Sequence, residues 1–139
     1  AASDVYKRQI YMMHRRTLLL AGATLFLTAC ARTLVEPLSS TRGVEPEKMQ
    51  KIIREALLRR SWIVVREESG VTYALIKVKD KIAAIKIEYS ESRYSIHLDP
   101  SQSNVLHPNG QVDRHYNRWV VALDREIQQL LLTVKINAD

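Results

Sequence analysis

The stretch IKIEYSESRYSIHLD, Ile85 to Asp99, decides the fold. Ile85, Ile87 and Tyr89 alternate with Lys86 and Glu88, and Tyr94, Ile96 and Leu98 alternate with Ser95, His97 and Asp99. Alternation at a period of two marks a strand with one face in a core and one in water. Glu91-Ser92 between the two runs is too short for the crossover a parallel pair requires, so the stretch predicts an antiparallel hairpin.

The same grammar extends upstream. Trp62 to Arg66 and Thr72 to Val78 are rich in β-branched and aromatic residues, with turns at Ser69-Gly70 and Lys79-Asp80-Lys81. Before them Pro46 opens a helix predicted over residues 46–60, because the first turn has no use for the amide hydrogen that proline lacks. Met49, Ile52, Ile53, Ala56 and Leu57 fall on one helical face, with Glu45 and Glu47 early and Arg59 and Arg60 late, as the helix dipole favours. Downstream, Pro100 to Gly110 reads as a polar loop. A second helix then follows from Tyr116, Trp119, Val120, Leu123, Ile127, Leu130, Leu131 and Val134, which form one apolar stripe. Thr33-Leu34-Val35-Glu36 reads as a further short strand. Two helices with stripes to bury and a meander between them predict an α+β fold: an antiparallel sheet of three to four strands with both helices on one face, in the order (β)αββββα. The expected domain covers residues 45–136.

A chain of 139 residues has room for one such domain, and 46% hydrophobic with 26% charged residues is ordinary for a folded protein. The net charge of +6 invites a nucleic-acid reading. Half of that excess comes from Lys7, Arg8, Arg15 and Arg16 against Asp4, and the remaining charges alternate in sign without a block suited to phosphates. Nucleic acid is therefore not an expected partner.

The first part of the chain has its own logic. MHRRTLLLAGATLFLTAC, ending at Cys30, places Arg15 and Arg16 before an apolar run from Thr17 to Leu27 and then small residues. That is the order of a secretory signal, and the run is about half of the roughly 20 residues that span a bilayer. Leu27-Thr28-Ala29-Cys30 resembles the lipobox of bacterial lipoproteins. The resemblance implies cleavage between Ala29 and Cys30, acylation of Cys30, and attachment to a membrane through the acyl chains. Two or three such chains hold a domain stably, at about 0.8 kcal/mol per buried methylene. By resemblance to the sorting rule of enteric bacteria, Ala31 rather than aspartate after the cysteine implies the outer membrane, facing the periplasm. Arg15-Arg16-Thr17-Leu18-Leu19 also partly resembles a twin-arginine export signal. Residues 1–11 fit neither signal nor domain and read as extraneous upstream sequence. Residues 12–29 are the expected signal peptide and 30–44 the expected lipidated tether.

HYNRWVVALDREI, His115 to Ile127, resembles a stretch of small uncharacterised proteobacterial lipoproteins, which also carry a strand like Tyr94-Ser95-Ile96 and a glycine-containing turn before the helix. His107-Pro108 departs from that pattern. The resemblance implies a shared fold and location, and no activity.

Two constellations stand as candidate sites. Tyr116, Asn117 and Arg118 at the start of the last helix form a possible recognition patch for an envelope partner, set against the simpler reading of an aromatic anchor beside a solvated face. His97, Asp99 and His107 are the weak candidates for metal ligands or acid–base groups, with His115 nearby in sequence. Neither paired cysteines nor an HExxH motif accompanies them, and Ser101 and Ser103 have no base in a defined relation. No cofactor is expected. The sequence thus predicts a lipid-anchored binding or assembly module of the cell envelope, with an envelope metal-binding protein or enzyme built on His97, Asp99 and His107 as the alternative.

Overall fold

The computed structural model describes residues 33–138, with side chains through Val134. The expected extraneous residues, the signal peptide, the Ala29–Cys30 cleavage point and the lipidation site at Cys30 lie outside the described residues.

The chain forms β1 (Leu38–Ser40), α1 (Pro46–Arg59), β2 (Ile63–Glu68), β3 (Val71–Val78), β4 (Lys81–Tyr89), β5 (Arg93–Asp99), a 3₁₀ turn (Pro100–Gln102) and α2 (Arg114–Ala138). The class is α+β, as the patterning predicts, but the sheet has five strands, in the order β1-β5-β4-β3-β2, every pair antiparallel. The central hairpin sets the register: Ile85 faces Leu98, Ile87 faces Ile96 and Tyr89 faces Tyr94. All three pairs therefore point to the same side, which is the side the helices cover. Lys81 belongs to β4 rather than to a turn, because Lys79 takes a positive φ of 57° and lets Lys79-Asp80 alone reverse the chain. At the β2–β3 reversal Gly70 has φ +77°, and a Cβ there would stand 3.3 Å from the Tyr89 carbonyl oxygen, so a side chain would be strained by the backbone and crowded by Tyr89.

One core joins the two layers. Met49, Ile53, Ala56 and Leu57 from α1 and Tyr116, Val120, Leu123, Ile127 and Leu131 from α2 pack against Ile76, Ile85, Ile87, Tyr94 and Ile96 of the sheet. Burying each large aliphatic side chain contributes about 1.5–3 kcal/mol, which is what holds two helices to a single sheet face. Trp62 closes the end of this core, its amide bonding the Leu57 carbonyl oxygen as the chain leaves α1. The helices are also linked by Glu126, only 8% exposed, which accepts from Arg59 at 3.1 Å and lies 3.4 Å from Arg60.

Two expectations are corrected at the N-terminal side. The strand predicted at Thr33–Glu36 forms at Leu38–Ser40 instead, pairing Leu38 with Ser95, Ser39 with Tyr94 and Ser40 with Arg93. From Thr33 onward the expected tether belongs to the compact unit that holds the sheet and helices. Thr33 and Val35 meet a side chain rather than a strand: Asn117 Nδ2 donates to the Thr33 carbonyl oxygen at 2.8 Å and its Oδ1 accepts the Val35 amide at 3.1 Å. One amide side chain thus supplies the donor and acceptor that a neighbouring strand would otherwise offer.

Candidate functional site

Among the described residues the helices cover one face of the sheet and no helix covers the other. Along β3 the open face receives Tyr73 and Leu75, which alternate with the buried Thr72, Ala74 and Ile76. At its β2 end lie Ile63 and Val65, 60% and 63% exposed, which add apolar surface there. Val65 is the extra residue of a bulge: Val64 pairs with Ala74 and Arg66 with Tyr73, leaving Val65 unpaired. The bulge turns Arg66 over its cross-strand neighbour, with the guanidinium carbon 4.2 Å from the Tyr73 ring centroid.

Val65, Arg66, Tyr73 and Leu75 help line a concavity of about 450 Å³. Its lining includes Tyr73, Leu75 and Ala84, with Val65 and Arg66 from β2 and Asp99 and Gln102 from the end of β5 and the 3₁₀ turn. Arg66 also lies 3.0 Å from Glu68, and Asp99 Oδ1 caps the 3₁₀ turn by accepting from the Ser101 amide at 3.0 Å and its hydroxyl at 2.6 Å. The arrangement presents apolar surface with a guanidinium and a carboxylate among its lining groups. Recognition of a mainly apolar group flanked by polar ones suits such a surface.

The sequence-predicted site residues are scattered. His97 lies on the same open face as Asp99, but its ring contacts Ser95 Oγ at 2.9 Å and Glu36 Oε2 at 3.2 Å. His107 sits in the exposed loop, where its amide and carbonyl close the turn to Gln111 and Gly110. Among the described residues no group of three histidine, cysteine or acidic side chains could hold a metal ion, so His97, Asp99 and His107 are not brought together as a ligand set.

The proposed patch at Tyr116, Asn117 and Arg118 also divides. Tyr116 is fully buried and its hydroxyl has no hydrogen-bond partner among the described residues; burial, with the Glu36 charge adding to it, pushes the phenol above its ordinary range. Asn117 is occupied by the backbone of Thr33 and Val35, and Arg118 alone of the three is exposed. The three therefore do not form one recognition surface: the ring belongs to the core and the amide to the N-terminal strap.

Two polar clusters position these elements. Tyr94, 1% exposed, donates to Asp124 Oδ1 at 2.6 Å and accepts from Gln128 Nε2 at 2.7 Å, while Ser39 Oγ donates to the same Asp124 oxygen at 3.3 Å. Burial first and the Asp124 hydrogen bond second push the Tyr94 phenol well above its usual range. This cluster ties β1, β5 and α2 together. At the start of α2, Asp113 accepts the His115 amide at 2.8 Å and the His115 ring at 2.7 Å, and its other oxygen meets Lys81 Nζ at 2.6 Å. The Lys81 ammonium, followed by the His115 amide, holds the Asp113 carboxyl well below the usual carboxylate range. Both clusters are internally satisfied, and their geometry is that of structural joints.

Sequence reasoning missed Val65, Arg66, Tyr73 and Leu75 as surface-forming residues. The signal was present in VTYALIKV, where apolar residues occupy both faces of β3 although only one faces the helices. Comparison of the chain with family models, with curated proteins and with solved structures finds no match.

Proposed function

We propose that this chain is a lipid-anchored, periplasm-facing envelope protein that acts as a binding or assembly module, held by acyl chains on Cys30 and recognising its partner through the open sheet face. The observation that carries the recognition half is the concavity at the β2 end, where Val65, Tyr73 and Leu75 present apolar surface between Arg66 and Asp99. The partner that suits it is an extended segment of an envelope protein, its apolar side chain lying against Tyr73 and Leu75 and its flanking charges meeting Arg66 and Asp99. The anchoring half rests on the lipobox sequence at Leu27–Cys30.

The test is crosslinking in intact envelopes followed by recovery of the chain. The parent and Cys30→Ala are expected to recover the same envelope protein, with only the parent found in the membrane fraction. Val65→Lys is expected to remain membrane-bound and lose that protein. A Val65→Lys variant that recovers the same partner in the same yield rejects the sheet-face reading, and membrane retention of Cys30→Ala rejects the anchor.

A further inference from the structure

The outward side of α2 has an unusual division of charge. Its two acids within the described side chains are both turned inward, Asp124 to Tyr94 and Ser39, and Glu126 to Arg59 and Arg60. Its three arginines, Arg114, Arg118 and Arg125, are all exposed, and none has an acidic partner within 4.0 Å among the described residues. At 3.6 residues per turn these positions fall on one line opposite the buried stripe of Tyr116, Val120, Leu123 and Ile127, and Leu132, 43% exposed, continues that line. The first turn of α2 contains no acid and begins with Arg114, a placement the helix dipole disfavours. Local helix energetics therefore do not account for the stripe.

The leash adds a second observation. Asn117 grips the backbone at Thr33 and Val35, beside Arg118 and within one turn of Arg114. Cys30 precedes Thr33 by three residues, a reach of about 10 Å at full extension. That is close to the Debye length of roughly 8–10 Å at physiological salt, so a domain held at Cys30 keeps this end of α2 within electrostatic range of the membrane.

We infer that the Arg114–Arg118–Arg125 stripe of α2 lies on the anionic phospholipid headgroups of the membrane that anchors the chain. The inference rests on the reading of Cys30 as the acylated residue. It assigns an orientation as well as a contact: the helix layer faces the bilayer, and the open sheet face on the opposite side of the two-layer fold is turned to the periplasmic space. A lipid anchor combined with a basic surface is a stronger attachment than either alone, since each arginine near an anionic surface contributes about fivefold in affinity.

The test measures the stripe without acyl chains. Full-length Cys30→Ala is sedimented with vesicles of phosphatidylethanolamine containing phosphatidylglycerol, and with vesicles of phosphatidylcholine alone. Replacing Arg114, Arg118 and Arg125 together by glutamine, which keeps helix propensity, is expected to weaken binding to the anionic vesicles by on the order of a hundredfold at low salt. Binding to the neutral vesicles and the melting temperature should not change, and high salt should erase the difference between the two proteins. The bases before Cys30 are common to both proteins and cancel. Equal binding of the two proteins to anionic vesicles overturns the inference. So does equal vesicle binding accompanied by loss of a crosslinked envelope protein, which would make the stripe a protein-docking surface. Palmitate incorporation into the parent and not into Cys30→Ala tests the anchor separately: its absence removes the leash, while the vesicle comparison still reports on the stripe.

Discussion

The two edges of the sheet are treated in opposite ways. β1 is three residues long and fastened at nearly every position: Asn117 holds the chain before it, Ser39 reaches Asp124, and the Ile96 amide bonds the Pro37 carbonyl oxygen. Just beyond it Thr41, fully buried, bonds the Ser92 carbonyl oxygen through its amide and the Glu91 carbonyl oxygen through its hydroxyl. β2 is twice as long, and its outer edge has no neighbouring strand among the described residues. It carries a bulge and two exposed β-branched side chains. An unpaired edge is a template for another chain unless something blunts it. At β1 the exposed edge is only three residues long and the chain around it is tied to Asn117 and Asp124 of α2, whereas at β2 a longer edge is limited only by the bulge and the charges of Arg66, Glu67 and Glu68. The difference separates a structural edge from one free to engage a partner, and substitutions at the two should separate as well.

The largest effect is expected at the joint behind β1. Tyr94→Ala removes a fully packed ring and should lower stability by about 3–5 kcal/mol. Tyr94→Phe keeps the ring but leaves Gln128 without its partner and Asp124 with Ser39 alone, at a cost of about 1–3 kcal/mol. Denaturant unfolding measures both; a Phe variant as stable as the parent would mean that the hydroxyl does not fasten β1 and β5 to α2.

A smaller effect should follow from the start of α2, which carries the Asn117 grip. Asp113→Ala removes the cap and the Lys81 partner and should cost about 1–2 kcal/mol at neutral pH. The sign of its pH dependence is set by the depressed carboxyl. A folded-state value below the ordinary 3.8 means that the stabilisation is complete above that ordinary value and is lost as pH falls through the lower folded-state value. The stability gap between parent and variant should therefore be constant above about pH 5 and close on acidification. A gap that widens below pH 4 would contradict the assignment of Lys81 and the His115 amide as the groups that depress it.

These joints also mark where the sequence could be read and where it could not. The hairpin from Ile85 to Asp99 was legible because every second residue is apolar and one core face accounts for all of them. The two helices were legible for the same reason at a period of 3.6. β1 was not, because Leu38-Ser39-Ser40 has the composition of a loop; its strand geometry comes from the β5 edge and from Asp124, both distant in sequence. Thr33–Glu36 carries the β-branched residues of a strand but is paired by a side chain, so local composition pointed four to five residues too early. Tyr116 illustrates the same limit at the candidate site. Tyr116 opens the apolar stripe yet stands beside Asn117 and Arg118, so the sequence favours a core anchor while leaving a surface patch open, and the packing of α2 on the sheet decides that the ring is fully buried. The open-face concavity depends on a bulge, and a bulge at Val65 cannot be distinguished from a continuous strand in the run Ile63-Val64-Val65.

The sharpest form of the comparison sets one side chain from each edge against the other. Asn117→Ala frees the backbone of Thr33 and Val35 and should cost about 1 kcal/mol, with faster hydrogen exchange at the Val35 amide. Val65→Lys lies on the β2 edge, outside the ladder and 63% exposed, so its effect on stability should stay within about 0.5 kcal/mol. The asymmetry is physical: the amide of Asn117 is the partner of two backbone groups, and its removal returns them to water, whereas Val65 loses almost nothing because it packs against little in the folded chain. If the edges differ in this way, truncation at β1 loosens the fold and a charge at β2 leaves it intact. Equal destabilisation by the two substitutions would show that Val65 supports the domain rather than facing a partner, and the open edge would then be a structural edge like its counterpart.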